Sequence, residues 1–455
     1  MAMPTFTFNQ SSGSNPASAS GAGPATALTG TAASFSGSVV TLDGSPDLSG
    51  VDATGLHVLY LATTTGRRWF RITAVDNGAD TVTVHSAPAG TASGLSWAIG
   101  GKLKDLDNTN TRLIFSDDAE SGWRFSLEDD QTISTGLDVT PTGHTSGTAE
   151  PLVFQSSSAE TLRTITQTSN SYNFQSNVTT GPICVTDLKL ANSNATKTNA
   201  IGFSARGKLI ARRCVFGDAT NKLLKGVTRN GGTPYFFLTE CRITSCTDDA
   251  IESSSTEVCR LVNCRIDNNT GNGMDVAIND SLSIVGCEFH DNGGSGIEIN
   301  NSGGASVAII GSTIHSNTAD GISFITSALH AQTLILGNNI TGNGGYGIDD
   351  NSLANYGIIV RANNFGTGAT ANTSGQSRGL SLEASNVGVD PQYANAAGGD
   401  FTPGANVRGK GYPPNTEVTA GGHGVATNYS HIGSIQPDES SGGGVNGISI
   451  IGGGV

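Results

Sequence analysis

From residue 188 onward the apolar positions recur with a fixed spacing. One register pairs a strand position with an apolar residue two places on: Leu188/Leu190, Cys214/Phe216, Cys241/Ile243, Cys264/Ile266, Cys287/Phe289, Ser312/Ile314, Asn338/Ile340 and Asn363/Phe365. Its steps are 26, 27, 23, 23, 25, 26 and 25 residues. A second register puts an apolar residue directly after a small one: Gly202-Phe203, Gly226-Val227, Ala250-Ile251, Gly273-Met274, Gly296-Ile297, Gly321-Ile322 and Gly347-Ile348. Its steps are 24, 24, 23, 23, 25 and 26. Two registers with one period define an internal repeat. A third, Asn269, Asn292, Asn317 and Asn343, lies five residues after the first, with Cys246 in the same place one coil earlier. The pattern predicts a solenoid of short strands joined by tight bends, with coils about 4.8 Å apart. Equivalent side chains then stack. Ile, Val and Phe fill the interior, Asn amides bond to one another and to bend backbone, and glycine supplies positive φ at the corners.

Before the repeat the pattern changes. Ser38–Leu42, His57–Ala62, Arg68–Val75, Thr81–His85 and Trp97–Ile99 are β-branched or aromatic runs, and Asp76-Asn77-Gly78 is a hairpin signal. They predict a small β-barrel or sandwich over residues 36–105. Residues 1–35 are dominated by small residues, the composition of a flexible tail or of an arm that orders against a partner. After Glu439 the chain carries no charge, and Ile448, Ile450 and Ile451 form an apolar plug among glycines suited to assembly contacts. The expected division is an arm at 1–35, a β module at 36–105, a solenoid at 106–400, a closing cap at 401–438 and a Gly-rich tail at 439–455.

Composition supports an all-β chain. Charged residues are 14% and glycine is 62 of 455, half and twice the usual shares. A net charge of −14 argues against a nucleic-acid partner. No run approaches 18 apolar residues, so no membrane helix is expected, and residues 1–10 lack the charge and apolar core of a secretion signal. Seven cysteines without a CxxC pair argue against a disulfide framework or zinc knuckle. Cys214, Cys241, Cys264 and Cys287 fall on the inward register and read as buried thiols, with a metal–thiolate ladder as the remote alternative. No cofactor or metal is expected.

The Asn register and the 23–26-residue coils with Gly-Ile steps resemble the right-handed parallel β-helix superfamily of pectate lyases, polygalacturonases and phage tailspikes, over roughly residues 123–400. The resemblance implies a single-stranded right-handed parallel β-helix. The segment Val389-Asp390-Pro391-Gln392-Tyr393, with Gly399-Asp400-Phe401, looks like the closing element of such repeats. The stretches YLATTTGRRWFRITAVDNGADTVTV and SGLSWAIGGK look like phage-encoded β-helix proteins.

Candidate chemistry sits on one stripe. The residue after each Gly-apolar step is Glu252, Asp275, Glu298, Ser323 and Asp349, and Asp248-Asp249 opens the stripe. Stacked carboxyls raise one another's pKa and suit a hydrolase pair or a cation site. The competing reading, favoured here, is a solvated edge that keeps the solenoid soluble. The Asn-Thr-Asp, Gly-His-Gly and Arg-Ile-Lys elements of polygalacturonases do not occur together. Arg242 and Arg265 lie on another strand, and His290 and His315 stack without an obvious acid. The expected function is therefore a structural protein of a tailed bacteriophage virion (capsid decoration, fibre or tail-associated), made in the host cytoplasm and assembled with itself and other virion proteins. The alternative is a tailspike-type depolymerase, usually trimeric, that hydrolyses or lyases host polysaccharide.

Overall fold

The computed structural model describes residues 3–16, 18–63, 67–107, 123–139, 151–158, 161–176, 182–194, 196, 199–203, 208–229, 235–300, 305–325, 332–350, 358–380, 382 and 384–402. The described strands from Arg124 onward pair in parallel, each with the equivalent strand one coil on, and enclose one continuous core. Each coil contributes to three faces. The first is a nine-stranded sheet from Gln131–Ile133 to Asn339–Thr341. The second carries the Gly-apolar steps, as in Ile297–Ile299 and Ile322–Phe324. The third carries longer strands such as Tyr235–Thr239, Ser306–Ile310 and Gln332–Leu336.

The first register pairs as the spacing predicts, from Leu190 with Phe216 to Ile314 with Ile340. The second has one correction. Ile201, not Phe203, pairs with Val227, so the rung begins at Ala200-Ile201 and its step is longer than the one read from Gly202.

The corners also differ from expectation. Residues with positive φ recur between the third and first faces at Asp187, Arg213, Glu240, Asn263, Gly286 and Gly311, with φ from 50° to 62°. A second set follows the first face at Ser245, Asn268, Asp291 and Ser316. Polar side chains thus carry most corners, a conformation that Asn and Asp tolerate best. The glycines of the Gly-apolar steps serve another need. A Cβ on Gly321 would lie 2.6 Å from both Gly347 O and Ile340 Cγ2, so glycine is required there for interior space.

The Asn register is a continuous hydrogen-bonded stack. Asn269 Nδ2 donates to Asn292 Oδ1 at 2.9 Å, Asn292 to Asn317 at 2.9 Å, Asn317 to Asn343 at 3.0 Å and Asn343 to Asn372 at 2.8 Å. Each Nδ2 also reaches a backbone carbonyl, and the Cys246 N–H donates to Asn269 Oδ1 at 2.9 Å. A second Asn stack continues the cysteine register: Ser312 leads to Asn338, Asn363 and Asn386. The cysteines are all free. The Cys241, Cys264 and Cys287 thiols each donate to the carbonyl two residues back at 3.3–3.4 Å, and burial pushes Cys214 well up. They pack as small apolar groups.

The N-terminal residues are not a separate arm. Thr5–Phe8 pairs in parallel with Arg124–Leu127 as the first rung of the third face. Phe6 is fully buried, 5.0 Å from Trp123 and 5.5 Å from Phe125. Leu28–Ser36 is a strand of a closed six-stranded antiparallel barrel with Val39–Thr41, Val58–Leu61, Trp69–Asp76, Thr81–Val84 and Leu95–Ile99. Its small residues have a packing cause: a Cβ on Gly30 would lie 2.2 Å from Trp97 Nε1. Barrel residues Tyr60 and Trp69 join the solenoid core.

At the other end, the segment expected to close the repeat lies along the first face. Phe401 is fully buried, with its ring 4.7 Å from His290 and 5.5 Å from His315, and Tyr393 is 5.2 Å from His315. The Arg265 guanidinium donates to Gly399 O at 3.2 Å. His290 does have an acid: its Nδ1 is 2.8 Å from Asp291 Oδ2. Of the cap at 401–438 only Phe401 and Thr402 are described, and the tail with Ile448, Ile450 and Ile451 lies outside the described residues.

Candidate active face

The second face stacks its outward positions in the predicted order. Thr228 pairs with Glu252, Glu252 with Asp275, Asp275 with Glu298, Glu298 with Ser323, Ser323 with Asp349 and Asp349 with Arg378. The sequence places these side chains outward because the flanking residues, Ile251, Met274, Val276, Ile297 and Ile299, fill the core and a strand alternates its faces.

A parallel row borders the stripe, one residue before each small-apolar step: Lys225, Asp249, Asn272, Ser295, Asp320 and Tyr346. Asp249 Oδ1 accepts from the Asn272 N–H at 2.6 Å, Asn272 Oδ1 from Ser295 N at 2.7 Å and Asp320 Oδ1 from Tyr346 N at 2.6 Å. The Asp249, Asn272 and Asp320 side chains thus each cap the bend of the next coil, and this fixes the two acids in place.

The carboxyls of the stripe have different surroundings. Glu252 is ion-paired with Lys225, whose Nζ also lies 3.1 Å from Asp248 Oδ2. Burial alone would pull the Lys225 ammonium down, but these two carboxylates hold it above its ordinary value. Asp349 is buried beneath a bidentate contact from Arg378, whose Nε donates to Oδ1 at 2.5 Å. The Arg378 guanidinium also lies over the Tyr346 ring at 5.2 Å. Asp349 is thus a closed structural ion pair and not an open acid.

Among the described residues no cation pairs with Asp275, in the middle, and Lys225 offsets its neighbours' charges only weakly. Burial, then the charges of Glu298, Asp249 and Glu252, push it up to about 6. Burial, with Asp249 and Asp320 behind it, also raises Glu298. Asp249 and Asp320 are raised chiefly by burial. The stripe is therefore a short open run, Glu252, Asp275 and Glu298, between a cation-bound end at Lys225 and a closed end at Arg378.

The structure brings Asp248, Asp249, Glu252, Asp275 and Glu298 to one face, as the spacing predicts, and adds Lys225, Asp320, Tyr346 and Arg378, which sequence reading missed. The first three were open to discovery as the residue before each Gly-apolar step. Arg378 was not, because its coil is 29 residues from Asp349 and breaks the period. The basic residues of the first face form their own cluster. Arg242 binds the buried Asp267 at 2.8 and 2.7 Å and holds that carboxyl below its ordinary value against the opposing effect of burial.

The sequence over residues 173–365 matches the family described as the right handed beta helix region. The fold is the right-handed parallel β-helix. The β-helix is similar to two solved structures. One is the Azotobacter vinelandii mannuronan C-5 epimerase AlgE6 A-module, at 13% identity over 63% of this chain and 96% of that one, with a TM-score of 0.38. The other is the periplasmic alginate epimerase AlgG, at 12% identity over 59% of this chain and 76% of that one, with a TM-score of 0.30. No curated protein matches the sequence. Among the described residues, no group of three or more His, Cys, Asp or Glu side chains is placed to hold a metal ion.

Proposed function

We propose that the second face of the β-helix cleaves a polysaccharide, with Asp275 as proton donor and Glu252 as its partner. The observation that carries this reading is the register: Glu252, Asp275 and Glu298 stand on three consecutive rungs of an open face, with the middle carboxyl half-buried between the other two. Adjacent rungs are about 4.8 Å apart, close to the ~5–5.5 Å separation of two carboxyls in retaining glycosidases. An extended face along a solenoid also suits a long chain of sugars.

The chemistry divides between the two environments. Asp275 gives its proton to the glycosidic oxygen as that oxygen leaves the anomeric carbon. A Glu252 oxygen forms the new bond to the same carbon. Water then attacks that carbon and returns a proton to Asp275, and Glu252 departs as carboxylate. Lys225 orients Glu252 and screens it from Asp248.

The virion-assembly role expected from the sequence rested on low charge, on a β module joined to a β-helix and on small-residue arms at both ends. Of the two arms, the first is built into the fold through Thr5–Phe8, and the second lies outside the described residues. The test is release of reducing ends from a panel of neutral, amino-sugar and uronate polysaccharides. Asp275→Asn should abolish release, and the product of the wild type should keep the anomeric configuration of the substrate. A panel left intact by the wild type, or cleavage undiminished in Asp275→Asn, would overturn the reading.

A further inference from the structure

The segment that closes the repeat forms a hairpin of its own. Asn395 and Asp400 exchange backbone hydrogen bonds at 3.1 and 2.9 Å, and the Ala394 N–H donates to Thr402 O at 3.1 Å. These bonds are internal, so they do not fasten the hairpin to the first face. Side chains do that. Phe401 is fully buried over His290 and His315. The Tyr393 ring meets the His315 ring at 73°, and its hydroxyl lies 3.1 Å from Thr341 Oγ1. Arg265 donates to Gly399 O at 3.2 Å. The chain enters at Val389, whose N–H donates to Asn364 Oδ1 at 2.9 Å. An element held in this way can leave the surface without breaking a strand ladder.

The two histidines beneath the hairpin stand on successive rungs but are not equivalent. His290 Nδ1 lies 2.8 Å from Asp291 Oδ2, so this ring keeps an acid beside it when covered. His315 Nδ1 instead faces the neutral Thr341 hydroxyl at 3.0 Å. The other charged groups around the pair are engaged elsewhere. On the first face Asp267 holds Arg242 and Arg265, and Glu288 faces Tyr393. On the hairpin Asp390 also faces Tyr393 and accepts from the Gln392 N–H, while Asp400 accepts from the Thr402 N–H. A proton on His315 would set a charge beneath two aromatic rings, with Asp291 already bound to His290. Burial pulls the His315 imidazole below its ordinary value, and His290 adds to this against the opposing pull of the Thr341 backbone and Asp291.

We infer that the hairpin of residues 389–402 is a latch on the first face that a proton on His315 releases. The docked hairpin and the proton compete for one ring. Above the ordinary imidazole value of 6.5, His315 is neutral whether covered or not, and the hairpin stays down. As pH falls below 6.5, the uncovered ring takes the proton first. Docking then weakens by up to about tenfold per pH unit, until the covered ring titrates as well. Arg265, which binds Gly399 O, also lines a neighbouring hollow of about 390 Å³ with Leu162, Val215 and Arg242. Release therefore extends that hollow over the two histidines. The latch lies on a different face from the carboxyl stripe, so it stands or falls independently of the proposed activity.

The test is hydrogen exchange of the full chain at pH 7.5, 6 and 5, corrected at each pH for the intrinsic exchange rate. Residues 393–402 should lose protection by up to about tenfold per pH unit below 6.5, while the rungs of the Asn stack stay protected. His315→Phe keeps a ring against Tyr393 and Phe401 but cannot take a proton, so its hairpin protection should not change with pH. Wild-type protection that is level with pH or rises towards acid overturns the inference, as does an equally steep loss in His315→Phe. A second measurement does not depend on that variant. If the hairpin excludes the proton, nuclear magnetic resonance of the imidazoles should show His315 titrating at a lower pH in the wild type than in Phe401→Ala. Equal titration in the two proteins overturns the inference.

Discussion

Asp275→Asn should stabilise the protein at neutral pH while removing its proposed activity. The folded carboxyl is displaced from 3.8 to about 6 by burial and by Glu298, Asp249 and Glu252. At about 1.36 kcal/mol per pH unit this corresponds to about 3 kcal/mol for a fully buried group. The side chain is only half-buried, and solvent screening reduces the figure to about 1–2 kcal/mol. The sign follows from proton binding. Between 3.8 and about 6 the folded state holds the proton more tightly than the unfolded chain, so stability falls as pH rises through that window. Asn keeps the shape of the protonated acid and has no charge to acquire. Urea unfolding of wild type and variant at pH 4 and pH 7.5 should therefore show near-equal stability at the lower pH. At the higher pH the variant should be ahead by about 1–2 kcal/mol. A difference that does not change with pH, or that grows towards acid, would refute the reasoning, because neither can come from a raised carboxyl.

Other perturbations test the scaffold. Asn317→Ala removes donors to Phe289 O and Asn343 Oδ1 and an acceptor for Asn292; left inside the core, those groups should cost about 2–4 kcal/mol in unfolding free energy. Gly321→Ala should be severely destabilising, since its Cβ would meet Gly347 O and Ile340 Cγ2 at 2.6 Å, whereas Gly337→Asn, with φ of 67° and open space around it, should be tolerated; comparison of their thermal midpoints separates space from φ as the reason for glycine. Phe401→Ala should expose His290 and His315 and cost up to about 3–5 kcal/mol, read as faster hydrogen exchange in residues 390–402 with the distant third face unchanged.

The repeat was legible because solenoid stacking forces equivalent residues into the same environment in every coil. Any position with a single job, such as the Asn stack or the Gly before Ile297, then recurs at the coil period. The stripe Glu252, Asp275 and Glu298 was legible for the same reason, since alternation fixes which residue after each glycine faces out. What period cannot express was missed. Gly202 satisfied the small-apolar pattern, but only strand pairing shows that Ile201 is the true partner of Val227. Leu28–Ser36 looked like a tail because its residues are small, yet Trp97 and Asp43 leave room only for small residues at Gly30.

Sequence alone therefore determined the all-β class, the coil length, the buried ladders and the order of acids along one face, because each depends on neighbours one coil away. Tertiary structure decided which acids are open. Glu252 has Lys225, Asp349 is closed by Arg378 across an irregular coil, and Asp275 is left between like charges. It also decided that the N-terminal strand starts the helix and that Tyr393 and Phe401 roof the two histidines. Those contacts join residues tens to more than a hundred positions apart, where no periodicity links them and only the shape of the folded surface brings them together.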